Sequence, residues 1–333
     1  MKYFLKVFSI AFLCFMLAIG AGLFTYFKIH EPNAVADDIK GDEARENNEE
    51  LTEEELENLP PLQRAIKQSN RINALLIGIE EEGRSDTMVF ASFDPDTKSV
   101  DLISIPRDTY YWIKGYNDAG NRKLNASYIR NIRKGHDKAA NAVKNAVENI
   151  LGVPIHHYAT VSYDGVEKIV DSLGGVEVNV PFHMVYEDTT PGHKPLYINI
   201  PKGKQMLDGE EAVKFLRYRK GYSDGDLGRI EAQQQFIKAA LKKALSFNLP
   251  KVAITAAKEV KTDVSLVDVP IYAAKAIGMK MENVEAHTLP GTTKYMAFEG
   301  QTLSYFVYDP KQIKNQVKDI YDVKDTTENN KEN

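Results

Sequence analysis

Three arginines, Arg217, Arg219 and Arg229, lie close together in the sequence near a glycine-rich break. Guanidinium groups that converge on one place repel each other unless an anion of high charge lies between them. A diphosphate meets that requirement. The alternative is a solvated basic face that follows a surface helix, which is the ordinary explanation of an arginine cluster.

The spacing of these residues sets conditions on the local structure. Arg217 and Arg219 are two residues apart, so they share a side only in an extended segment, and the preceding helix must then unwind before Arg217. Arg229 and Gln233 are four residues apart and share one face of a second helix. Asp226 stands at the expected N-cap of that helix.

A second group of polar residues flanks three short apolar runs. Glu80 follows the first run, Asp86 precedes the second, and Arg107 and Asp108 follow the third. In open α/β sheets, sites collect at strand ends. Two carboxylates on one loop suit a hard cation such as Mg²⁺, with Mn²⁺ as a substitute. A loop acid and an Asx turn explain either carboxylate alone, but Arg107 at the same end favours a metal–diphosphate site.

The pattern of apolar runs predicts a mixed α/β domain between residues 65 and 310. Short apolar runs read as buried or hairpin strands, and amphipathic segments read as helices. Strands that alternate with helices predict a three-layer α/β/α sandwich around a mixed central sheet. About 245 residues suffice for one domain with a substantial core.

The first 30 residues predict a membrane anchor. Residues 7–27 carry no charged side chain, and a bilayer-spanning helix needs roughly 20 residues. Lys2 and Lys6 precede the run, so the N-terminus is expected in the cytoplasm and the rest of the chain outside the cell membrane. A signal peptide cleaved after Ala36 is the competing interpretation. The length of the run favours an uncleaved single-pass anchor.

Two segments outside the domain are polar. Residues 31–64 form an acidic stalk, and residues 311–333 are expected to be a frayed polar tail. The whole chain has a net charge of −5, for which the stalk largely accounts. With neither a basic surplus nor a recognition-helix motif, no nucleic-acid partner is expected. The only cysteine, Cys14, lies in the membrane run, which excludes a disulfide or a thiol nucleophile in the domain.

Several unusual motifs occur together in one order. They are Leu75-Leu-Ile-Gly-Ile-Glu80, Arg84-Ser-Asp-Thr87, Ser104-Ile-Pro-Arg-Asp-Thr109, Lys123-Leu-Asn-Ala-Ser-Tyr128, Gly174-Gly-Val-Glu-Val178, Leu207-Asp-Gly-Glu210, Arg217-Tyr-Arg219 and Gly225-Asp-Leu-Gly-Arg-Ile230 with Gln233-Gln234. This order resembles the LytR-CpsA-Psr family over about residues 70–250. Members of that family are extracytoplasmic enzymes that move glycopolymers, such as teichoic acid or capsule, from a polyprenyl diphosphate carrier to peptidoglycan.

The resemblance implies roles for individual residues. The four arginines, Arg107 included, would hold the diphosphate, with Lys123 and Gln233 assisting. Asp86 and Glu80 would hold Mg²⁺, although the family usually has Asp in place of Glu80. Ala232 stands where the family often has Arg, and the usual Gly-Gly pair is missing after Tyr128.

The implied activity is phosphotransfer of a wall teichoic acid or capsule-like polymer to a peptidoglycan sugar hydroxyl, at the face of the lipid bilayer. Such a reaction asks the protein mainly for positioning and charge neutralisation. Asp86 or Asp108 could take the proton of the hydroxyl. A polyprenyl-diphosphate pyrophosphatase and a non-catalytic wall-binding protein are the alternatives.

Two sets of apolar and aromatic residues have two explanations each. The helical faces at Val143 and Val147 and at Phe236, Ile237 and Ala240 could line a lipid channel, or they belong to the core. The aromatic residues that follow Arg107 could stack on sugar rings, or they belong to a half-buried strand. These residues are Tyr110, Tyr111, Trp112 and Tyr116.

Overall fold

The computed structural model describes the chain from residue 52 to residue 323 with short gaps, as 52–80, 83–190, 195–222, 226–245, 249–265 and 267–323. The expected anchor at 7–27 and most of the acidic stalk lie outside these residues. Within the described ranges, no helix has both the length and the apolar character that a membrane span needs.

The strands are, in chain order, β1 (Ile72–Ile79), β2 (Ser85–Asp94), β3 (Ser99–Ile105), β4 (His157–Ser162), β5 (Val176–Val180), β6 (Met184–Asp188), β7 (Leu196–Ile200), β8 (Gly203–Leu207), β9 (Val260–Thr262), β10 (Val284–Thr288), β11 (Gly291–Phe298) and β12 (Gln301–Tyr308). The α-helices are α1 (Glu53–Glu57), α2 (Pro61–Gln68), α3 (Ala126–Asn131), α4 (His136–Leu151), α5 (Tyr163–Ser172), α6 (Gly209–Arg217), α7 (Asp226–Leu245), α8 (Leu249–Glu259), α9 (Val269–Lys275) and α10 (Pro310–Ile320).

Six strands form the central sheet in the order β10, β3, β2, β1, β4, β9. β1 pairs with β4 in parallel and with β2 antiparallel, and β10 runs parallel to β3. The sheet is therefore mixed, as expected. The β2–β3 turn forms at Asp94, whose Oδ1 accepts hydrogen bonds from the backbone N–H groups of Asp96 and Thr97 at 2.8 and 3.3 Å. An aspartate at this position satisfies the turn locally.

Both faces of the sheet are covered by helices. On one face, Leu75 and Ile77 of β1 pack with Val143 of α4 and Val317 of α10. On the other face, residues of β2 and β3 pack against the Leu241 side of α7. Alternate side chains of a strand point to opposite faces, so a run that is apolar at every position is buried on both sides. The arrangement is the predicted three-layer sandwich.

A second cluster of buried residues lies beside the sheet. Two hairpin-like pairs, β5 with β8 and β6 with β7, pack against α5, α6 and the first half of α7. Helix α6 begins at a capping box, in which the Asp208 carboxylate accepts from the Glu211 N–H and the Glu211 side chain returns to the Asp208 N–H. Its N1 residue is Gly209, where an added Cβ would lie 2.4 Å from the Glu167 carbonyl oxygen. The first residue of α6 is therefore fixed against α5, and this fixes the position of Arg217 at the other end of the helix.

The chain ends of the domain differ from the prediction. The segment expected to fray after residue 311 begins as α10, which buries Ile313, Val317 and Ile320 in the main core. The boundary predicted at 310 is wrong because a helix with only three buried apolar positions reads as polar in the sequence. At the other end, α2 packs Leu62 and Ile66 against the same core, so the domain also starts a few residues before 65.

Candidate active site

Asp86 is the centre of an ion-pair cluster at one edge of the sheet. Its side chain is 8% exposed. Arg107 donates from Nη1 to both carboxylate oxygens at 3.0 and 3.1 Å, and Arg219 donates from Nη2 to Oδ2. Burial opposes ionisation of Asp86, but the two guanidiniums outweigh it and hold its pKa below the ordinary value.

Glu80 lies beside Asp86, but its pKa is shifted in the opposite direction. Its Oε2 is 3.7 Å from Arg219 Nη2. Burial, and next the charge of Asp86 and a hydrogen bond between the two carboxyl groups, raise the pKa of Glu80 from 4.5 to about 7, against the weaker pull of the arginines. Two carboxyls that share a site separate in pKa because both cannot ionise at low cost. The pair can hold a proton between its oxygens, and a divalent cation could take the place of that proton.

Arg217 reaches the same site by a different contact. Helix α6 ends at Arg217, and Tyr218 then adopts extended backbone angles of φ −64° and ψ 128°. The helix therefore ends one residue later than the spacing predicted, and Arg217 and Arg219 still border one cavity. The Arg217 guanidinium lies over the ring of Tyr163, 4.8 Å from its centroid, and has no carboxylate within 4.0 Å among the described residues.

The first turns of α7 bring Arg229 and Gln233 to this cavity. Both are buried, with 3% and 8% exposure. Gln234 fixes the helix to the sheet, since its Nε2 donates to Ser104 Oγ at 3.1 Å and to the His287 carbonyl at 2.7 Å. Asp226 is the first residue of α7, and its side chain lies outside the described residues.

Asp108 and Lys123 extend the charged surface away from the cavity. Lys123 Nζ is 3.1 Å from Asp108 Oδ1, and Arg107 Nε is 4.0 Å from the same oxygen. Arg107 thus lies between Asp86 on one side and Asp108 on the other. Every predicted site residue whose side chain is described therefore belongs to one connected region.

A cavity of about 120 Å³ opens beside the arginines. One part of its wall is polar and includes Asp86, Arg217, Arg219, Arg229 and Gln233. The rest is apolar and includes Leu76, Val161, Val166, Leu216, Phe236 and Ile237.

The suggested lining residues are only partly correct. Phe236 and Ile237 of α7 line the cavity, whereas Val143 and Val147 are fully buried in the core on α4. Ala240 packs against the buried cluster of the hairpins. An amphipathic pattern shows that a helix has an apolar face but does not show which layer that face contacts.

The sequence reasoning did not identify Tyr163 as a site residue, and it did not predict the contacts of Gln234. Tyr163 follows β4 directly, lines the cavity and stacks under Arg217. Its place at the carboxyl end of a strand is the only signal that could have identified it. Gln234 was noted within the motif, but its anchoring bonds depend on strand ends more than 50 residues away along the chain.

A separate group of possible metal ligands lies toward the opposite end of the sheet. In the described part of the chain, Asp101, Glu285 and His287 bring ligand atoms within 4.8 Å of one another. Asp101 is paired with Arg71 at 2.7 Å. These residues do not contact the cluster around Asp86.

The fold and the site define an α/β protein in which a cluster of arginines and carboxyl groups borders a cavity with a partly apolar wall. The chain belongs to the LytR-CpsA-Psr family, because the model described as the LytR_cpsA_psr family matches residues 26–321. The resemblance of the motifs is thereby confirmed.

Curated relatives have consistent names. The chain is 33% identical over 252 residues to the polyisoprenyl-teichoic acid–peptidoglycan teichoic acid transferase TagU of Oceanobacillus iheyensis, with coverage of 74% of this chain and 71% of that protein. It is 30% identical over 232 residues to the corresponding enzyme TagV of Bacillus subtilis, with coverage of 67% of this chain and 57% of that one.

Solved structures share the fold. The crystal structure of B. subtilis TagV has a TM-score of 0.61 at 26% identity and covers 78% of this chain and 100% of that one. The structure of TagT bound to LIIa-WTA has a TM-score of 0.58 at 25% identity and covers 80% of this chain and 94% of the other. The mixed α/β architecture is therefore that of the family.

The raised pKa of Glu80 predicts a pH dependence of stability. Because the folded pKa of about 7 exceeds the unfolded value of 4.5, Glu80 stabilises the fold fully below pH 4.5. This contribution is lost as the pH rises through 7. Asp86 titrates below this window. In excess chelator, the free energy of unfolding from urea titrations should therefore fall more between pH 4.5 and 8 for wild type than for Glu80→Gln.

The exposed Glu177→Gln variant controls for the loss of a surface carboxylate and should follow the wild-type curve. Parallel pH profiles for wild type and Glu80→Gln would show that the Glu80 carboxyl is not the group that titrates in this window.

Proposed function

We propose that this protein is a Mg²⁺-dependent phosphotransferase that moves an anionic cell-wall glycopolymer from a polyprenyl diphosphate carrier to a sugar hydroxyl of peptidoglycan. The observation that carries the proposal is the apposition of the arginine cluster and the apolar cavity. The names of the relatives, which are teichoic acid transferases, support the same class of substrate.

The charge balance suits a diphosphate. Among the described side chains, Arg107 and Arg219 contact Asp86, and Arg219 also lies near Glu80. Arg217 lies over the Tyr163 ring and has no carboxylate within 4.0 Å among these residues. Glu80 is partly protonated near neutral pH. An excess of positive charge in a partly buried site favours a ligand that carries several negative charges. Guanidinium groups also match phosphate oxygens in geometry.

The apolar wall suits a lipid attached to that diphosphate. The cavity has a volume of about 120 Å³ and lies directly beside the arginines. The part of the hydrocarbon nearest the diphosphate would enter it. Leu76, Val166 and Ile237 would contact it there.

The reaction forms one phosphorus–oxygen bond and breaks another. The acceptor hydroxyl oxygen attacks the sugar-side phosphorus, and the bond from that phosphorus to the bridging oxygen breaks. Polyprenyl phosphate leaves with the electron pair. The arginines bind the phosphate oxygens and neutralise the charge that develops on them, which is the main demand of phosphoryl transfer.

A carboxylate could take the hydroxyl proton. Asp86 is unsuited because two guanidiniums occupy its oxygens and lower its pKa. Asp108 is the better candidate of the two that the sequence offered, since its side chain is 26% exposed and is held in place by Lys123. Deprotonation by a positioned carboxylate is ordinary general base catalysis.

The residues present fit a magnesium ion. Mg²⁺ is usually held by one or two carboxylates together with substrate phosphates and waters. Glu80 and Asp86 both contact Nη2 of Arg219, so their carboxyl groups lie side by side and could be ligands of one cation. When bound, the ion supplies Lewis-acid stabilisation of the phosphate oxygens. The family's usual Asp is replaced here by the longer Glu80, which leaves the ligand type unchanged.

The site would lie outside the cell membrane. The uncharged run at 7–27, with Lys2 and Lys6 before it, would hold the chain at the bilayer that carries the polyprenyl substrate. Peptidoglycan, the second substrate, would be reached from the same side.

A product analysis tests the proposal. Full-length protein in detergent is incubated with a synthetic polyprenyl-diphosphate glycan, with and without peptidoglycan fragments. We expect a phosphodiester-linked glycan–peptidoglycan product and polyprenyl phosphate in the presence of the acceptor. Release of polyprenyl phosphate at the same rate without the acceptor would indicate a pyrophosphatase. Absence of any turnover would indicate a non-catalytic wall-binding protein.

Arg219→Lys tests the guanidinium contacts. Lysine keeps the charge but cannot reproduce the paired hydrogen bonds to phosphate. We expect a loss of about 100-fold in kcat, or about 3 kcal/mol, as for removal of one preorganised donor. Transfer rates measured on folded protein decide the point.

The exposed Arg133→Lys is the matched control and should keep the wild-type rate. If Arg219 were a solvated surface arginine, its replacement would change activity by well under ~1 kcal/mol. A result in that range would remove Arg219 from the site.

The metal requirement has its own test. Excess chelator should abolish transfer, and Mg²⁺ or Mn²⁺ should restore it. Asp86→Asn should lower the rate at least 100-fold because it removes a ligand and the anion that orders Arg107 and Arg219. Full activity in chelator would eliminate the metal from the mechanism.

A further inference from the structure

A second cationic surface lies beside the proposed active site. We call it the aromatic–arginine surface, and it consists of Trp112, Tyr116, Arg122, Arg130 and Phe298. Four of these residues follow Arg107 in the chain, and Phe298 comes from the hairpin of β11 and β12. The segment is held to that hairpin because the Tyr110 N–H donates to the Phe306 carbonyl at 2.8 Å.

Arg122 is fixed between two rings of this surface. Its guanidinium carbon is 4.1 Å from the centroid of Phe298 and 5.9 Å from that of Trp112. Its Nε donates to the Asn117 carbonyl at 2.9 Å, and Nη1 donates to the Tyr110 hydroxyl at 3.3 Å. Both of these hydrogen-bond acceptors are neutral.

Arg130 is held in a similar way. Its guanidinium carbon lies 5.1 Å from the Tyr116 ring centroid, and Nη2 donates to Ser127 Oγ at 2.8 Å. Among the described residues, no carboxylate lies within 4.0 Å of Arg122 or Arg130. Partial burial of an unpaired cation is unfavourable, as the lowered pKa of Arg130 shows. An ordered, unpaired guanidinium is a feature that an anionic ligand would explain.

The exposure and the composition of the region also indicate that it binds an anionic ligand. Trp112 is 48% exposed and Tyr116 is 38% exposed, although both are large aromatic residues. Residues 107–134 contain seven Lys or Arg against two Asp, in a chain whose net charge is −5. Exposed rings stack on sugar faces, and arginines bind phosphates, so the surface combines the two contacts that a phosphate-bearing glycan needs.

A chain of contacts joins this surface to the active site. Lys123 binds Asp108 at 3.1 Å and lies 5.5 Å from the Tyr305 ring centroid. The Tyr305 ring packs at 5.6 Å from Phe298, which carries Arg122. A glycan that leaves the diphosphate at Arg107 would therefore reach the surface directly.

We propose that the aromatic–arginine surface binds the phosphodiester-bearing repeat units of the donor glycopolymer, beyond the sugar that is attached to the diphosphate. This inference rests on the proposed function and adds a subsite to it. The repeated phosphate charges of the donor match Arg122 and Arg130, whereas the sugar backbone of peptidoglycan has no such charges. The surface would make the enzyme favour long donors over short ones.

Trp112 makes a direct test possible, because it is the only tryptophan of the chain. Its fluorescence in the full-length protein is titrated with glycerol phosphate oligomers that lack a lipid diphosphate. We expect a saturable change that weakens as salt rises and that requires at least tenfold more oligomer in Arg122→Gln and in the exposed Tyr116→Ala. A neutral chitin oligosaccharide should bind at least tenfold more weakly than the phosphate oligomer.

Two control variants separate this site from general effects of charge and apolar area. Tyr295→Ala removes a ring that is 79% exposed on the opposite face of the same hairpin, and Lys314→Gln removes an exposed charge from α10. Both should bind as wild type. An unchanged Trp112 signal, equal affinity in all variants, or a response to soluble peptidoglycan strands in place of the phosphate oligomer would overturn the proposal.

Kinetics then separate this inference from the proposed function. For Arg122→Gln, KM should rise about tenfold with a long donor and less than twofold with a donor that carries a single disaccharide. Absence of transfer with every donor, together with intact oligomer binding, would refute the proposed function alone. Normal transfer with equal KM ratios for both donors would refute the subsite alone.

Discussion

The buried carboxylate of Asp86 is the interaction on which the site depends. Taking a carboxylate out of water is costly, and the cost is met here by two guanidiniums that approach from different elements, one after β3 and one after α6. The same charge that orders the arginines raises the pKa of Glu80 to about 7. One carboxyl therefore stays ionised and holds the arginines, while the other can bind or release a proton near neutral pH. A single carboxylate could not provide both states.

The sequence predicted the parts of the site that depend on residue spacing and on the ends of strands. The predicted strand ends indicated that Glu80, Asp86 and Arg107 would meet, because polar residues that flank neighbouring buried strands lie at the same edge of the sheet. Spacing predicted that Arg217 and Arg219 would share a site if their segment were extended. Tyr218 is extended, although Arg217 is still the last residue of α6. These expectations rest on short-range geometry, which one chain is enough to reveal.

Long-range packing could not be read in the same way. The apolar faces of α4 and α7 have similar patterns, but they cover opposite faces of the sheet, and only the α7 face borders the cavity. No sequence pattern distinguishes Tyr163, and only the fold places its ring beneath Arg217. Helix α10 was dismissed because three buried side chains among many polar ones resemble a solvated segment. In each case the sequence does not show which helix packs against which face of the sheet.

Helix α7 shows how the fold joins a charged site to an apolar one. Arg229 and Gln233 face the polar side of the cavity, Phe236 and Ile237 form part of its apolar wall, and Gln234 bonds to the ends of β3 and β10. Because these residues lie within about two turns of one helix, a shift of α7 would move Arg229, Gln233 and the apolar wall of the cavity together. The sheet edge fixes Asp86, and the amide of Gln234 fixes the helix to that same edge. The distance between the arginine cluster and the apolar wall is therefore set by the backbone of one sheet and one helix. Under the proposed function, a ligand that is charged at one end and apolar at the other would be recognised by that distance as well as by its charge.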